Sequence, residues 1–179
     1  MTKINNIANI AVENILARRS IRRFDPLKEV PGELREILLE CAYAAPSAHN
    51  YRPCHFIVVD GRERLNRLAE VHPYGKMLSA ATLAIIVCGM TKGEVEYSYW
   101  EEDCSAAMQN ILLAARAVGL GSVWLGVRHA PGGLEATLKG MLGVPSDAAV
   151  LGIAAIGWPL AAKDPHKGIE PHVVHVNKW

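Results

Sequence analysis

The chain has 179 residues, half of them hydrophobic and 21% charged, with a formal net charge of +1. This balance excludes a fibrous or intrinsically disordered chain, and it offers no general attraction to nucleic acid or to an anionic membrane. The length suits one domain with a sizeable core. No apolar run approaches the roughly 20 residues that span a bilayer, and the N-terminus lacks a signal peptide's apolar block, so a cytoplasmic protein is expected.

Ile4, Ile7, Ala8, Ala11, Ile15 and Leu16 recur at helical spacing and predict a helix over 4–17. It stops at the basic stretch ARRSIRRF. Pro31 opens a second helix at its first turn, with Leu34, Ile37, Leu38, Cys41 and Ala42 as its buried stripe and Pro46 as its end. A polar loop follows, crowding Pro46, Ser47, His49, Asn50, Tyr51, Arg52 and Pro53 into eight positions. The β-branched run from His55 to Asp60 predicts a strand.

Arg62 to Glu70 reads as a short charged helix, and PYGKMLSA as another. Thr82 to Met90 is apolar without alternation, which predicts a central strand. Residues 98–118 form the longest helix, with Cys104, Ala107, Met108, Ile111, Leu112, Ala115 and Val118 giving a wide apolar face. Gly119 ends it. A strand over Ser122–Val127, a helix over Leu134–Leu142 and a strand over Ala149–Ile156 complete the body. The tail from Trp158 to Trp179 shows a short strand signal at His172–Val176. Strands alternate with helices, so one α/β or α+β unit is expected.

Four cysteines occur, none as CxxC and none at zinc spacing. Cys41 and Cys88 read as inert core thiols, and no disulfide framework is expected. His172 and His175 form an HxxH on an irregular tail, which does not make a metal site. No Ser-His-Asp set is visible.

ARRSIRRF places Arg18, Arg19, Arg22 and Arg23 within six residues, with Ser20 among them. Guanidinium groups and a hydroxyl suit a phosphate. They also suit a solvated helix C-terminus, where cations complement the dipole. The polar loop, where Asn50 can donate and accept and Arg52 adds a cation, tilts the reading toward a phosphorylated, hydrogen-bonding ligand. GLGSVWLG is not a dinucleotide fingerprint, because its glycines follow a helix and precede a strand. Gly119 is a helix C-cap, whereas Gly126 closes a strand and leaves backbone open to a ligand. Glu101, Glu102 and Asp103 start the long helix and suit its dipole.

RRSIRRF, then APSAHNYRPCHFIVV, then GLGSVWLG, VLGIAAIGWP and VHVNKW, in that order, resemble the FMN-dependent nitroreductase family across essentially the whole chain. The resemblance implies an α+β, three-layer fold with a mostly antiparallel sheet between helices. It implies a single domain over 1–179 and a homodimer built on the long helix and a swapped C-terminal tail, with FMN in clefts between subunits. Arg18, Arg19 and Ser20 match phosphate and ribityl contacts, and Arg22 a cation near N1 and the C2 carbonyl. Pro46, Ser47, Ala48, Asn50 and Arg52 match the flavin-facing loop, and Trp124, Leu125 and Gly126 the strand end facing N5 and O4. A C-terminal phosphate cation falls at Lys163 or Lys167, with Lys167 taken as the candidate. The chain departs from the family where Ala48 stands for a frequent Gly, Arg52 for Gln and Cys54 for Trp.

The resemblance implies an oxidoreductase that takes electrons from NADH or NADPH and reduces nitroaromatics, quinones or similar acceptors by a ping-pong scheme, with no obligatory catalytic side chain. Other same-fold flavin reactions, such as enone reduction, reductive dehalogenation or flavin fragmentation, stay open, although the stretch between Met90 and Tyr97 leaves little room for the lid they usually carry. A non-enzymatic flavin binder and a cofactor-free structural domain stay open too.

Overall fold

The computed structural model describes residues 10–93, 97–130 and 132–179. Residues 4–9 of the expected first helix and 94–96 of the Met90–Tyr97 connection lie outside the described residues. Five helices and four strands alternate: α1 (Ile10–Ala17), α2 (Gly32–Tyr43), β1 (Cys54–Val59), α3 (Arg62–Val71), β2 (Leu83–Met90), α4 (Trp100–Ala117), β3 (Gly121–Gly126), α5 (Leu134–Leu142) and β4 (Ala148–Gly157).

The sheet order is β1-β2-β4-β3, and every pair is antiparallel. This makes the fold α+β. β2 and β4 are central, and their unbroken apolar sequences follow from cover on both faces. On one face Leu83, Ile85 and Val87 of β2 pack with α2 and α4 through Leu38, Met108 and Ile111. On the other, Ala84 and Ile86 pack with α3 and α5 through Leu65, Leu68 and Leu138. Helices, sheet and helices form three layers.

α4 ends in a Schellman turn. Gly119 takes φ 82°, its N–H donates to Arg116 O at 3.1 Å, and the N–H of Leu120 donates to Ala115 O at 2.8 Å. Glycine adopts that left-handed conformation without a Cβ penalty. The register between β2 and β4 shifts at Val87/Cys88, which leaves Leu151 as an unpaired bulge residue. Its carbonyl accepts the N–H groups of Val127 and Arg128, both at 3.1 Å, and so fixes the chain leaving β3.

The structure departs from the sequence reading in several places. Pro31 is the extended residue before α2 (ψ 148°), not its first turn. PYGKMLSA yields only one 3-10 turn, Lys76–Ser79, because Pro73 and Gly75 shorten any helix there. His172–Val176 is not a strand. A 3-10 turn covers Pro171–Val173, since no described strand of the chain runs beside it to accept a ladder. Cys88 is buried, but Cys41 is only half-buried. Among the described residues no helix is long and apolar enough to cross a membrane.

Candidate functional site

The arginine-rich stretch lies along the start of β3. Ser20 bridges Ser122 in parallel, and Ile21 N–H donates to Ser122 O at 2.9 Å. Gly121 has no side chain because Ile21 occupies the space: a Cβ there would fall 2.7 Å from the Ile21 methyl. The chain then turns to β4, where Asp25 N–H donates to Trp158 O and Leu160 N–H to Arg23 O. The start of the tail is thereby held beside the basic stretch.

Between them opens a cleft of about 410 Å³. Its charged lining residues are Arg18, Arg19, Arg116 and Lys163, with no carboxylate among them. Arg19 donates to the backbone carbonyl of Asp164 and ties the tail to the cleft wall. Four cations without an anion, in a chain whose net charge is only +1, suit a dianionic group such as a phosphate monoester. Lys163 lines the cleft. Lys167 does not, and it lies on an exposed part of the tail. Arg22 is exposed beside the cleft rather than in its wall. Arg116, one of the four, was missed in the sequence because it reads as an ordinary cation near a helix C-terminus.

At the far end of β3, Trp124 crosses Gly152, where a Cβ would fall 2.4 Å from the indole Nε1. Leu125 is buried and Gly126 exposed. Buried His72 holds this end: its Nε2 lies 3.1 Å from Gly126 O, and its Nδ1 accepts the N–H of Tyr74 at 3.2 Å. The two contacts fit the tautomer whose Nε2–H faces the Gly126 carbonyl. His72 was not singled out in the sequence, where nothing marks it off from a solvent-exposed loop histidine.

The polar loop sits elsewhere, at the start of β1. His49, Asn50 and Arg52 all adopt left-handed backbone, with φ of 52°, 56° and 51°. Such residues cost roughly 1–2 kcal/mol each, less for Asn, and persist where neighbours hold them. Here Arg52 N–H donates to Ser47 Oγ at 2.9 Å, Arg52 Nε to Asn50 Oδ1 at 3.0 Å, and Arg52 Nη1 to Tyr43 OH at 2.9 Å. Two of the three guanidinium nitrogens are thereby held, one by Asn50 of the loop and one by Tyr43 at the end of α2. Asn50 is exposed, and its Oδ1 is engaged by Arg52. Ala48 N–H donates to Oδ1 of buried Asp103 at 2.9 Å. The acidic start of α4 thus does more than complement a dipole: Asp103 anchors the loop.

Glu101 pairs with Arg128 at 3.0 Å and His129 at 3.2 Å, and Arg128 also pairs with Glu135 at 3.1 Å. The hydrogen bond from Arg128 holds the Glu101 carboxyl below the usual carboxylate range. Glu135 in turn accepts the N–H of Val150 at 3.0 Å. This network braces the segment that leaves β3.

One chain does not bring the loop to the cleft. Asp103, beside the loop, and Arg116, in the cleft wall, are 13 residues apart on α4, about 20 Å at 1.5 Å per residue. The loop and Gly126 share one end of the sheet but lie at opposite edge strands, three strand spacings or about 14 Å apart.

A model of the nitroreductase family matches residues 15–72 and 72–158. The chain belongs to the nitroreductase family. It is 40% identical over 168 residues to a Methanothermobacter thermautotrophicus protein provisionally named an NADH dehydrogenase/NAD(P)H nitroreductase, an alignment that covers 94% of this chain and 87% of that one. It resembles the solved FMN-dependent nitroreductase of Clostridium difficile R20291, with TM-score 0.87 and 31% identity over 94% of this chain and 99% of the other. It also resembles a provisionally named nitroreductase from Desulfovibrio desulfuricans solved in complex with FMN, with TM-score 0.83 and 30% identity over 96% and 98%.

Proposed function

We propose that the protein is an FMN-dependent NAD(P)H oxidoreductase whose flavin site is completed by a second copy of the chain. The cleft lined by Arg18, Arg19, Arg116 and Lys163 carries this reading, because four cations without a carboxylate fit the phosphate of FMN. Ser122 lies by the phosphate end of β3 and Gly126 is four residues further, about 14 Å along an antiparallel strand. An elongated ligand anchored in the cleft therefore extends toward Gly126. Ser20 supplies a hydroxyl beside the cleft, and exposed Arg22 supplies a cation that a ligand leaving the cleft can reach.

Bound there, FMN supplies two-electron transfer between NADH or NADPH and an electron-poor acceptor. The chain's own groups bind, orient and polarise. The backbone at Trp124–Gly126, fixed by His72 and Leu151, offers hydrogen-bonding groups at a defined position. Arg22 would offer positive charge to a reduced, negatively charged ring that extends from the cleft. No side chain is placed here as an obligatory acid or base, which fits alternating binding of donor and acceptor at one position. Nitroaromatics and quinones are the acceptors proposed.

The second copy is required because the loop at Pro46, Ser47, Ala48, Asn50 and Arg52 cannot reach its own cleft. A homodimer brings the partner's loop over the ligand. The tail supports this arrangement: every residue from 159 to 179 is exposed, including Ile169 at 73%, Val176 at 76% and Trp179 at 99%. An apolar segment of that kind needs another surface, and a swapped dimer supplies one. The test is an absorption spectrum of the FMN-loaded protein during anaerobic addition of NADH and then NADPH. Loss of the oxidised-flavin bands with either donor supports the reading, and a spectrum unchanged by both would sink it.

A further inference from the structure

Cys54 and Cys104 are 50 positions apart in sequence and adjacent in space, with their sulfurs 3.2 Å apart. Cys54 opens β1 directly after the polar loop. Cys104 lies on α4 directly after Asp103, the residue that anchors that loop. A disulfide needs about 2.05 Å between sulfurs, so the pair must close by a little over 1 Å. Room for Cys104 at this place is left by Gly89, which stands opposite Cys54 in the β1–β2 ladder. A Cβ at Gly89 would fall 2.9 Å from Cys104 Sγ and 2.4 Å from the Trp100 ring.

The two thiols are unequal. Cys54 is half-buried and borders a small crevice with Pro46, Ser47 and Arg52. The hydrogen bond from Cys104 pulls the Cys54 thiol below its ordinary value, so its thiolate is favoured. The same hydrogen bond, followed by burial, pushes Cys104 far up. Cys104 also lies 3.4 Å from Cys88 O and stays a thiol. Cys88 packs in the core on the opposite face of the sheet, and burial pushes it up to about 11. Cys41 is on α2, outside this pair.

We propose that Cys54 and Cys104 are a redox pair that forms a reversible disulfide in the folded protein, with Cys54 oxidised first and Cys104 resolving. The oxidant is hydrogen peroxide. The Cys54 thiolate attacks one peroxide oxygen, the O–O bond breaks, and a sulfenic acid and hydroxide result. The hydroxide takes a proton from solvent and leaves as water. The Cys104 sulfur then attacks Cys54, the S–S bond forms, the S–O bond breaks, and a second water leaves with the Cys104 proton. Two thiols and one peroxide give one disulfide and two waters, and a small dithiol reverses the change. The bond would join the base of the polar loop to α4 beside the Ala48–Asp103 contact. The inference does not rest on what occupies the cation-lined cleft.

The test uses the full-length protein, reduced, freed of reductant, treated with hydrogen peroxide, and blocked with N-ethylmaleimide after unfolding. The expected result is a Cys54–Cys104 linked peptide without reductant, a fall in titratable thiols from the four of the reduced chain to two, and full recovery with dithiothreitol. Cys104→Ser is expected to leave Cys54 as a sulfenic acid trapped by dimedone, and Cys41→Ser to change nothing but the starting thiol count. Four thiols surviving in the wild type, a sulfinic acid at Cys54 beside a free Cys104, or a Cys54 link between two chains would each overturn the proposal. The wild-type peptide map decides even if a variant does not fold.

Discussion

The backbone N–H of Ala48 donates to Oδ1 of Asp103 at 2.9 Å, and this contact ties the polar loop to the first turn of the longest helix. It is made by a carboxylate whose residue is 8% exposed, so nothing in solvent replaces it. Asp103→Ala leaves the Ala48 N–H without that acceptor. The expected loss is about 1–3 kcal/mol of unfolding free energy, read by urea denaturation, together with weaker FMN retention as the left-handed residues His49, Asn50 and Arg52 relax. Unchanged values for both would remove Asp103 from its role.

Arg18 and Arg19 are assigned to the phosphate, not to the ring. Arg18→Ala is therefore expected to weaken FMN binding about tenfold or more, the scale of one charge-assisted hydrogen bond, while leaving riboflavin binding nearly unchanged. Fluorescence titration with the two flavins separates them. An equal loss for both would place Arg18 away from the phosphate.

His72 bridges Gly126 O and Tyr74 N–H. His72→Leu removes both hydrogen bonds and frees the end of β3. The expected outcome is a slower reduction of bound flavin by NAD(P)H at nearly unchanged FMN affinity, measured by stopped-flow absorbance. A loss of affinity with an unchanged reduction rate would show that the histidine serves packing alone.

Glu101 is held below the usual carboxylate range by Arg128 and His129. A depressed folded value stabilises the protein above the unfolded value of about 4.3, and that contribution is lost as pH falls through the folded value. The side chain is 36% exposed, so the pair is screened and contributes no more than about 1 kcal/mol. Glu101→Gln is expected to lower the urea midpoint slightly at pH 7, and the difference from wild type is expected to shrink as the pH falls below about 4.3. A difference that grows toward acid would reverse the assignment.

Most of the fold was legible because its patterns are local. Apolar runs without alternation marked β2 as central, and Gly119 marked the end of α4 within a residue. The tail was not legible: His172–Val176 carries strand-like residues, but a strand needs a neighbour, and among the described residues no strand pairs with it. The basic stretch and the polar loop stood out as motifs, while their separation by about 20 Å of α4 is a tertiary fact with no local signal. Arg116, His72 and Asp103 act through partners at least 50 positions away or across the cleft, so their residue types alone could not mark them.

If one flavin site is built from the cleft of one chain and the loop of another, subunit complementation restores it. Arg18→Ala/Arg19→Ala disables the cleft, and Asn50→Ala disables the loop. Each variant alone is expected to show little NAD(P)H-dependent turnover. After equal mixing and subunit exchange, half of the dimers are mixed and each holds one intact site of two, so about a quarter of wild-type activity should return. No recovery in a mixture shown to contain mixed dimers would contradict the account and place loop and cleft in separate functions.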